Sequence, residues 1–130
     1  MKFMLMMNAQ SHLFDEYWQW PKQDLQAHID FMRKFARKLS AAGELVSTEG
    51  LVSPAQAKLV RAGEDGRPET DGPFAETKEF LAGYWIVDVD DAERAYEIAA
   101  EASTAPGLNG VPSRMPIEVR EVMNGAAPLD

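Results

Sequence analysis

Histidine is the side chain best suited to acid–base chemistry near neutral pH, and one of the two histidines in this sequence lies where a core could tune it. His28 falls between Leu25 and Met32 on the apolar stripe of a predicted helix, so its imidazole is expected to face inward. Small changes of environment then move its pKa across the working range. An inward histidine is more often a satisfied core residue than a catalyst, and both interpretations stay open. His12 shares no metal-ligand motif with His28, so we predict no metal site.

A second stretch that could carry chemistry lies at residues 70–79, where turn residues, opposite charges and one aromatic ring occur together. Pro73 lacks an N–H and restricts Gly72, while Asp71 can bond the backbone two residues on, so a stiff corner is predicted. It would present Phe74 to one side, followed by Lys78. A rigid turn with solvated charges would give the same pattern. The alternative is a loop that lines a cleft, since binding residues concentrate on such loops.

Large aromatic rings crowd the segment at residues 9–20, which otherwise loses periodicity and predicts a loop. They are Phe14, Tyr17, Trp18 and Trp20. Such rings either form a lid over a cleft or cover the edge of the protein's own core. The second interpretation is favoured in general, because aromatic side chains are mostly buried for packing.

Composition excludes several classes of function. A length of 130 residues predicts one domain, and 45% hydrophobic content is ordinary for a soluble globular protein. The net charge of −8 disfavours nucleic acid as a partner, because binding to phosphates relies on Lys and Arg. The absence of cysteine excludes disulfides and thiolate chemistry. The apolar run at residues 1–7 is too short for a signal sequence or a membrane span, so a cytoplasmic protein without membrane association is the expectation.

Periodicity and turn residues predict the elements that must position these side chains. An apolar run at residues 2–8 predicts a first strand. Pro21, an apolar face with helical spacing and the terminal Gly43 predict a helix over residues 21–42. The remaining predictions are a strand at 44–52, a hairpin with arms at 57–61 and 69–70, a strand at 80–89, a helix from 90 to about 103, a loop at 104–115 and a strand from 117 to about 123.

The second predicted helix opens with Asp90 and Glu93 in the spacing of a capping box. Its inner stripe is predicted to consist of Ala92, Ala95, Tyr96, Ala99 and Ala102. Small residues in such a stripe let a helix lie close to a sheet. Residues 124–130 are expected to form a frayed tail.

Without the hairpin, the order of elements is βαββαβ, the ferredoxin-like arrangement in the α+β class. That fold places both helices on one face of an antiparallel sheet. The strands at 2–8 and 80–89 are apolar on both faces, so the second face also needs a cover. A symmetric homodimer that packs sheet against sheet is the economical prediction.

The stretch at residues 70–79 also resembles the signature of the YCII-related family, in the branch that is named after its Asp-Gly-Pro-Phe motif. Further similarity lies at residues 41–45, 49–51, 83–89 and 117–120, so the resemblance spans nearly the whole chain. The resemblance implies one domain over residues 1–123 that folds as a dimeric α+β barrel. No cofactor is implied.

The resemblance also implies a site. Some family members carry a His–Asp pair in a cleft, which makes His28 the candidate general base and Asp71 its partner. In this hypothesis Lys78 binds an anionic group, and Phe74, Tyr84 and Trp18 wall the pocket, with isomerase- or lyase-like chemistry such as lactone isomerisation. The alternative is a non-catalytic dimer that binds a small ligand or a protein, since relatives of this branch tend to accompany extracytoplasmic-function sigma factors.

Overall fold

The computed structural model describes residues 1–72 and 78–123 of an α+β protein with a ferredoxin-like arrangement, as predicted. Its four-stranded antiparallel sheet has the order β2-β5-β1-β6, and β3 and β4 form a separate hairpin. The strands are β1 (Lys2–Gln10), β2 (Leu45–Gly50), β3 (Leu59–Ala62), β4 (Pro68–Asp71), β5 (Glu79–Asp88) and β6 (Ile117–Glu121); the helices are α1 (Ser11–Trp18), α2 (Lys22–Ala41) and α3 (Ala92–Ser103). Two short 3-10 turns lie at Pro54–Gln56 and Leu108–Gly110. The predicted corner at residues 73–77, including Phe74, and the tail at 124–130 lie outside the described residues.

The core forms between one face of the sheet and the helices α2 and α3. Leu5 on β1 and Leu39 on α2 are almost fully buried, as is Ile98 on α3. The rings of Phe35 and Trp85 meet edge to face with centroids 5.6 Å apart, which fixes α2 against β5. Each fully buried aliphatic side chain contributes about 1.5–3 kcal/mol, so this layer holds the sheet and helices together.

The end of α2 confirms the role predicted for Gly43. Its φ of 73° is left-handed, a conformation that glycine adopts at little steric cost. The Gly43 N–H donates to the Ser40 carbonyl and the Glu44 N–H to the Leu39 carbonyl, at 3.0 and 2.9 Å. This pair of hydrogen bonds is a Schellman motif. It satisfies carbonyl groups at the helix end that have no hydrogen-bond donor within the helix, and it directs the chain into β2.

The start and inner face of α3 differ from the prediction. Asp91, rather than Asp90, caps the helix, and its carboxylate accepts a hydrogen bond from the Arg94 N–H at 2.9 Å. Tyr96 is 52% exposed, whereas Ile98 is fully buried. The buried positions 95, 98, 99 and 102 keep the three- and four-residue spacing of one helical face, which Tyr96 does not share.

The segment at residues 9–20 is not the predicted loop, because most of it forms α1. The side chains at positions 13, 14, 17 and 18 are all large and apolar and recur at helical spacing, a pattern hidden among polar residues. No residue of α1 is buried, and no side chain caps its N-terminus. A two-turn helix is marginal alone, so its packing on neighbouring elements must hold it.

The second face of the sheet carries the other half of the apolar residues on the central strands, as the sequence predicted. Met4 lies opposite Ile86, and Met6 lies opposite Tyr84. All four are partly buried, and none belongs to the cluster that packs against the helices. Among the described helices, none is both long enough and apolar enough to span a bilayer.

Candidate functional site

A cavity of about 940 Å³ lies between the sheet, α1, α2 and the segment after α3. Its described lining is mainly apolar and includes Leu13 and Tyr17 from α1, Met32 from α2, Trp85 from β5 and Met115 from the segment after α3. Cavities of this size accommodate small organic molecules and cofactors. The cavity is therefore the first place to look for a ligand site.

His28 is a titratable side chain in the wall of this cavity. It lies on the inward stripe of α2, as predicted, and is partly buried. Its ring meets Tyr17 and Trp20 edge to face, with centroid distances of 5.3 and 5.9 Å. Aromatic residues of the α1 region therefore pack against the histidine at the cavity wall.

The imidazole is held by one hydrogen bond to the main chain. Nδ1 of His28 lies 3.1 Å from the carbonyl oxygen of Pro106, in the segment after α3. A carbonyl only accepts, so Nδ1 is the nitrogen that carries the proton and donates it. In the neutral ring, Nε2 then carries no proton and is an acceptor. A base requires such an unprotonated nitrogen.

Burial lowers the pKa of His28 below its ordinary value of 6.5, because the apolar surroundings disfavour the imidazolium. The hydrogen bond to Pro106 acts in the opposite direction and is the smaller effect. Burial also raises the pKa of the Tyr17 phenol beside it. Both side chains are therefore neutral at pH 7, His28 as an acceptor at Nε2 and Tyr17 with its proton retained.

The segment that carries Pro106 is tied to α2 at a second point. The Asn109 N–H donates to the Asp24 carboxylate at 3.0 Å, one helical turn before His28. Within the segment, the Gly107 N–H donates to the Val111 carbonyl at 2.7 Å and the Ser113 N–H to the Ala105 carbonyl at 2.9 Å. Asp24 and His28 thus hold one closed loop from the same face of α2. No local pattern indicates this role for Asp24 or Pro106, because both contacts join residues far apart in the chain.

Large apolar side chains border the mouth of the cavity and stay exposed. They include Trp18, which is 67% exposed, and Val52, which is 89% exposed, together with Leu51, Leu108 and Val111. The charged residues of the described lining, Glu16, Arg33 and Glu49, are also exposed. Charge is therefore concentrated at the rim, while the interior is apolar apart from a few polar groups.

The structure brings together only part of the predicted site. Trp18 lines the cavity with His28. Tyr84 also contributes to the wall, but it follows the sheet alternation opposite to Trp85, and its hydroxyl lies 3.4 Å from Ser47 Oγ. The ring of Tyr84 therefore faces the second side of the sheet.

Asp71 and Lys78, the described site residues at the two ends of the predicted corner, lie outside the cavity lining. Asp71 is exposed on β4 opposite Leu59 and lines a separate pocket on the hairpin, not the cavity around His28. Lys78 accepts the Ser11 N–H through its carbonyl, and its Nζ lies 5.4 Å from the centroid of the Phe80 ring. Lys78 is not among the described residues that line the cavity. The pairing of His28 with Asp71 and the anion-binding role of Lys78 stay predictions.

The described residues include no candidate metal-binding group. Over residues 1–72 and 78–123, no three His, Asp or Glu side chains come together in a group able to hold a metal ion.

Two comparisons relate the chain to known proteins. The family model described as the YCII-related domain matches residues 1–119. An uncharacterized protein of Rhizobium meliloti (strain 1021) is 32% identical over 91 residues, which cover 70% of this chain and 73% of that protein. The finer assignment to the Asp-Gly-Pro-Phe branch stays a prediction that is compatible with both matches.

Proposed function

The chain belongs to the YCII-related family, and we propose that it is a small-molecule enzyme in which His28 acts as a general base inside the apolar cavity. The observation that carries this proposal is the bond from Nδ1 to the Pro106 carbonyl, which leaves Nε2 of a neutral imidazole as an acceptor. A base must be unprotonated at working pH and fixed in orientation, and both conditions hold for His28.

The chemistry that suits this base is proton abstraction from carbon next to a carbonyl group, as in an unsaturated lactone. Nε2 takes the proton, the electron pair of the broken C–H bond forms a double bond to the carbonyl carbon, and the π pair of the C=O bond moves to oxygen to give an enolate. In an isomerisation, the C=O bond re-forms and the imidazolium returns the proton at another carbon of the conjugated enolate. In an elimination, the C=O bond re-forms, a new C=C bond forms as the leaving group departs with its electron pair, and the imidazolium later loses the proton to water. An apolar site excludes water that would compete for the enolate.

The test follows the proton directly. Unsaturated five-membered lactones are incubated with the protein in deuterated water, and exchange at acidic carbon positions is measured by NMR. We expect enzyme-dependent exchange that falls about 10²–10⁴-fold in His28→Ala, the range for loss of a general acid–base group. His12→Ala removes the other histidine, which does not line the cavity, and should keep the full rate. Equal exchange rates in His28→Ala and the wild type would refute the proposal.

We also propose that the protein is a homodimer that packs the second faces of two sheets together. Met4, Met6 and Ile86 form an apolar surface on the central strands, away from the face that α2 and α3 cover. Apolar residues on both faces of a strand are typical of a sheet that is covered on both sides. In a twofold symmetric dimer, the same surface of a second copy of the chain covers this face.

The alternative is a dimeric binding module without catalysis, with a small ligand or a sigma factor as partner. One observation favours it: the bonded partner of His28 is a carbonyl, whereas a catalytic dyad would use a carboxylate. A binding module needs the cavity and no proton relay. Tight ligand binding without any deuterium exchange would support this alternative.

A further inference from the structure

We propose that the ligand of this cavity is an uncharged molecule with an apolar body that donates one hydrogen bond, from an enol or phenol hydroxyl, to Nε2 of His28. This inference rests on the proposed function only in that the cavity is a small-molecule site. It does not rest on the chemistry at carbon, because simple lactones have no hydroxyl that could donate to Nε2. It adds the chemical class of the ligand, which neither the family match nor the relative specifies.

The need for a donor follows from how the imidazole is already used. The proton on Nδ1 is engaged by the Pro106 carbonyl at 3.1 Å. A neutral imidazole has one donor and one acceptor nitrogen, so Nε2 can only accept. A ligand carbonyl or ether oxygen is also an acceptor, so it cannot form a hydrogen bond with the lone pair of Nε2. A ligand hydroxyl can donate its proton to that lone pair.

The need for an uncharged ligand follows from where charge lies in the cavity. Of the charged residues in the described lining, Glu16 and Glu49 are acidic and Arg33 is basic, and all three are exposed. The basic residue of the described lining, Arg33, is exposed, so an anionic group that leaves water to lie beside His28 loses hydration at a cost. The net charge of −8 on the chain also disfavours the approach of anions.

The apolar body follows from the interior of the cavity. Three methionines, Met7, Met32 and Met115, line it together with Ile29 and Trp85. Methionine is flexible and polarisable, so such a wall adapts to flat or irregular apolar shapes. The volume of about 940 Å³ leaves room for a body of two or more rings.

Three probes that share a biphenyl body separate these requirements: 4-phenylphenol, 4-methoxybiphenyl and 4-biphenylcarboxylate. Calorimetry measures their binding to the full chain at pH 7.5. This pH is about one unit above an ordinary imidazole pKa. We expect the phenol to bind about 10-fold more tightly than the ether, the effect of about one net hydrogen bond. The carboxylate should bind more weakly than either.

Variants at one position connect this preference to His28. In His28→Ala the phenol and the ether should bind with affinities within about twofold, because no acceptor remains. His28→Gln keeps a side-chain oxygen acceptor and should retain part of the preference, and His12→Ala should retain all of it. Thermal unfolding of each variant shows that the comparison is made on folded protein.

The outcomes distinguish this inference from the proposed function. Equal affinity of the wild type for the phenol and the ether, or tightest binding of the carboxylate, would overturn the ligand class and leave the cavity as a binding site. A phenol preference that persists unchanged in folded His28→Ala would also overturn it. Failure of all three probes to bind would overturn both the ligand class and the small-molecule function.

Discussion

Nδ1 of His28 lies 3.1 Å from the carbonyl oxygen of Pro106, a residue 78 positions further along the chain. This bond fixes the orientation and the protonated nitrogen of an imidazole that burial keeps neutral. Asp24, one helical turn earlier, holds the same loop through the Asn109 N–H. The geometry at His28 therefore depends on a loop that Asp24 helps to hold, and not on a carboxylate bonded to the imidazole itself. This dependence can be measured.

The first prediction concerns Asp24. Replacing Asp24 with Ala removes the acceptor for the Asn109 N–H and should lower the free energy of unfolding by about 1 kcal/mol. The loosened loop admits water to His28, so the imidazole is less buried. The downward shift of its pKa should therefore become smaller, and the pKa should rise toward 6.5. Urea unfolding and an NMR titration of the His28 ring measure the two effects.

Asp24→Asn is the matched control, because it removes the charge near His28 but keeps an oxygen that accepts the Asn109 N–H. The pKa of His28 should be higher in Asp24→Ala than in Asp24→Asn. Equal pKa values in the two variants would show that the loop contact does not control the environment of His28.

The second prediction concerns pH and stability. The pKa of His28 is lower in the folded protein than its ordinary value of 6.5, so the unfolded chain binds the proton more tightly. The neutral ring therefore contributes stability that is complete above about pH 6.5 and is lost as pH falls through the lower folded pKa. Urea midpoints between about pH 5 and 8, a range that spans an ordinary imidazole pKa, should show this loss in the wild type.

In His28→Gln this component of the pH dependence should disappear, while His12→Gln should keep it. A wild-type profile that matches the His28→Gln profile across the whole range would contradict the lowered pKa.

Local patterns in the sequence were sufficient for most of the fold. The apolar spacing of α2, Gly43 at its end and the turn between β3 and β4 all depend on residues close in the chain, and all were predicted. The helix α1 was missed because its apolar face spans only two turns. The predicted inner stripe of α3 includes Tyr96, whereas the structure buries Ile98, which lies three and four residues from Ala95 and Ala102.

The site was less predictable for a physical reason. The inward position of His28 follows from the periodicity of one helix, so it was found. Its bond to Pro106 depends on how the segment after α3 folds back onto α2, which no local pattern encodes. The family resemblance implies Asp71 as a partner of His28, and the structure places Asp71 on the exposed hairpin.

The third prediction concerns the ion pair between Arg94 on α3 and Glu44 before β2. Arg94 donates from Nε and Nη2 to the two carboxylate oxygens of Glu44, at 2.8 and 2.9 Å. This bidentate pair is partly exposed, so Arg94→Ala should cost only about 0.5–1 kcal/mol. Arg67→Ala, which breaks a longer and more exposed contact to Asp65, should have almost no effect.

The hydrogen bond from Arg94 lowers the pKa of Glu44 below its ordinary value of 4.5. The stability from this pair is therefore present above about pH 4.5 and is lost as pH falls through the lower folded pKa. The difference in unfolding free energy between the wild type and Arg94→Ala should shrink over that range. A difference that stays constant down to about pH 2, well below an ordinary carboxyl pKa, would contradict the pairing.

The fourth prediction concerns the second face of the sheet. Met6 lies beside Tyr84 in the middle of that face, so Met6→Lys would place a charge in the proposed dimer interface. Burying an unpaired charge costs about 3–5 kcal/mol, so the dimer dissociation constant should rise at least about 100-fold. Sedimentation velocity over a range of protein concentrations measures this constant.

Ala27→Lys adds the same charge at an exposed position on α2 and should leave the dimer intact. A wild-type protein that sediments as a monomer at all concentrations would refute the dimer, because the apolar second face would then be stable in water without a partner.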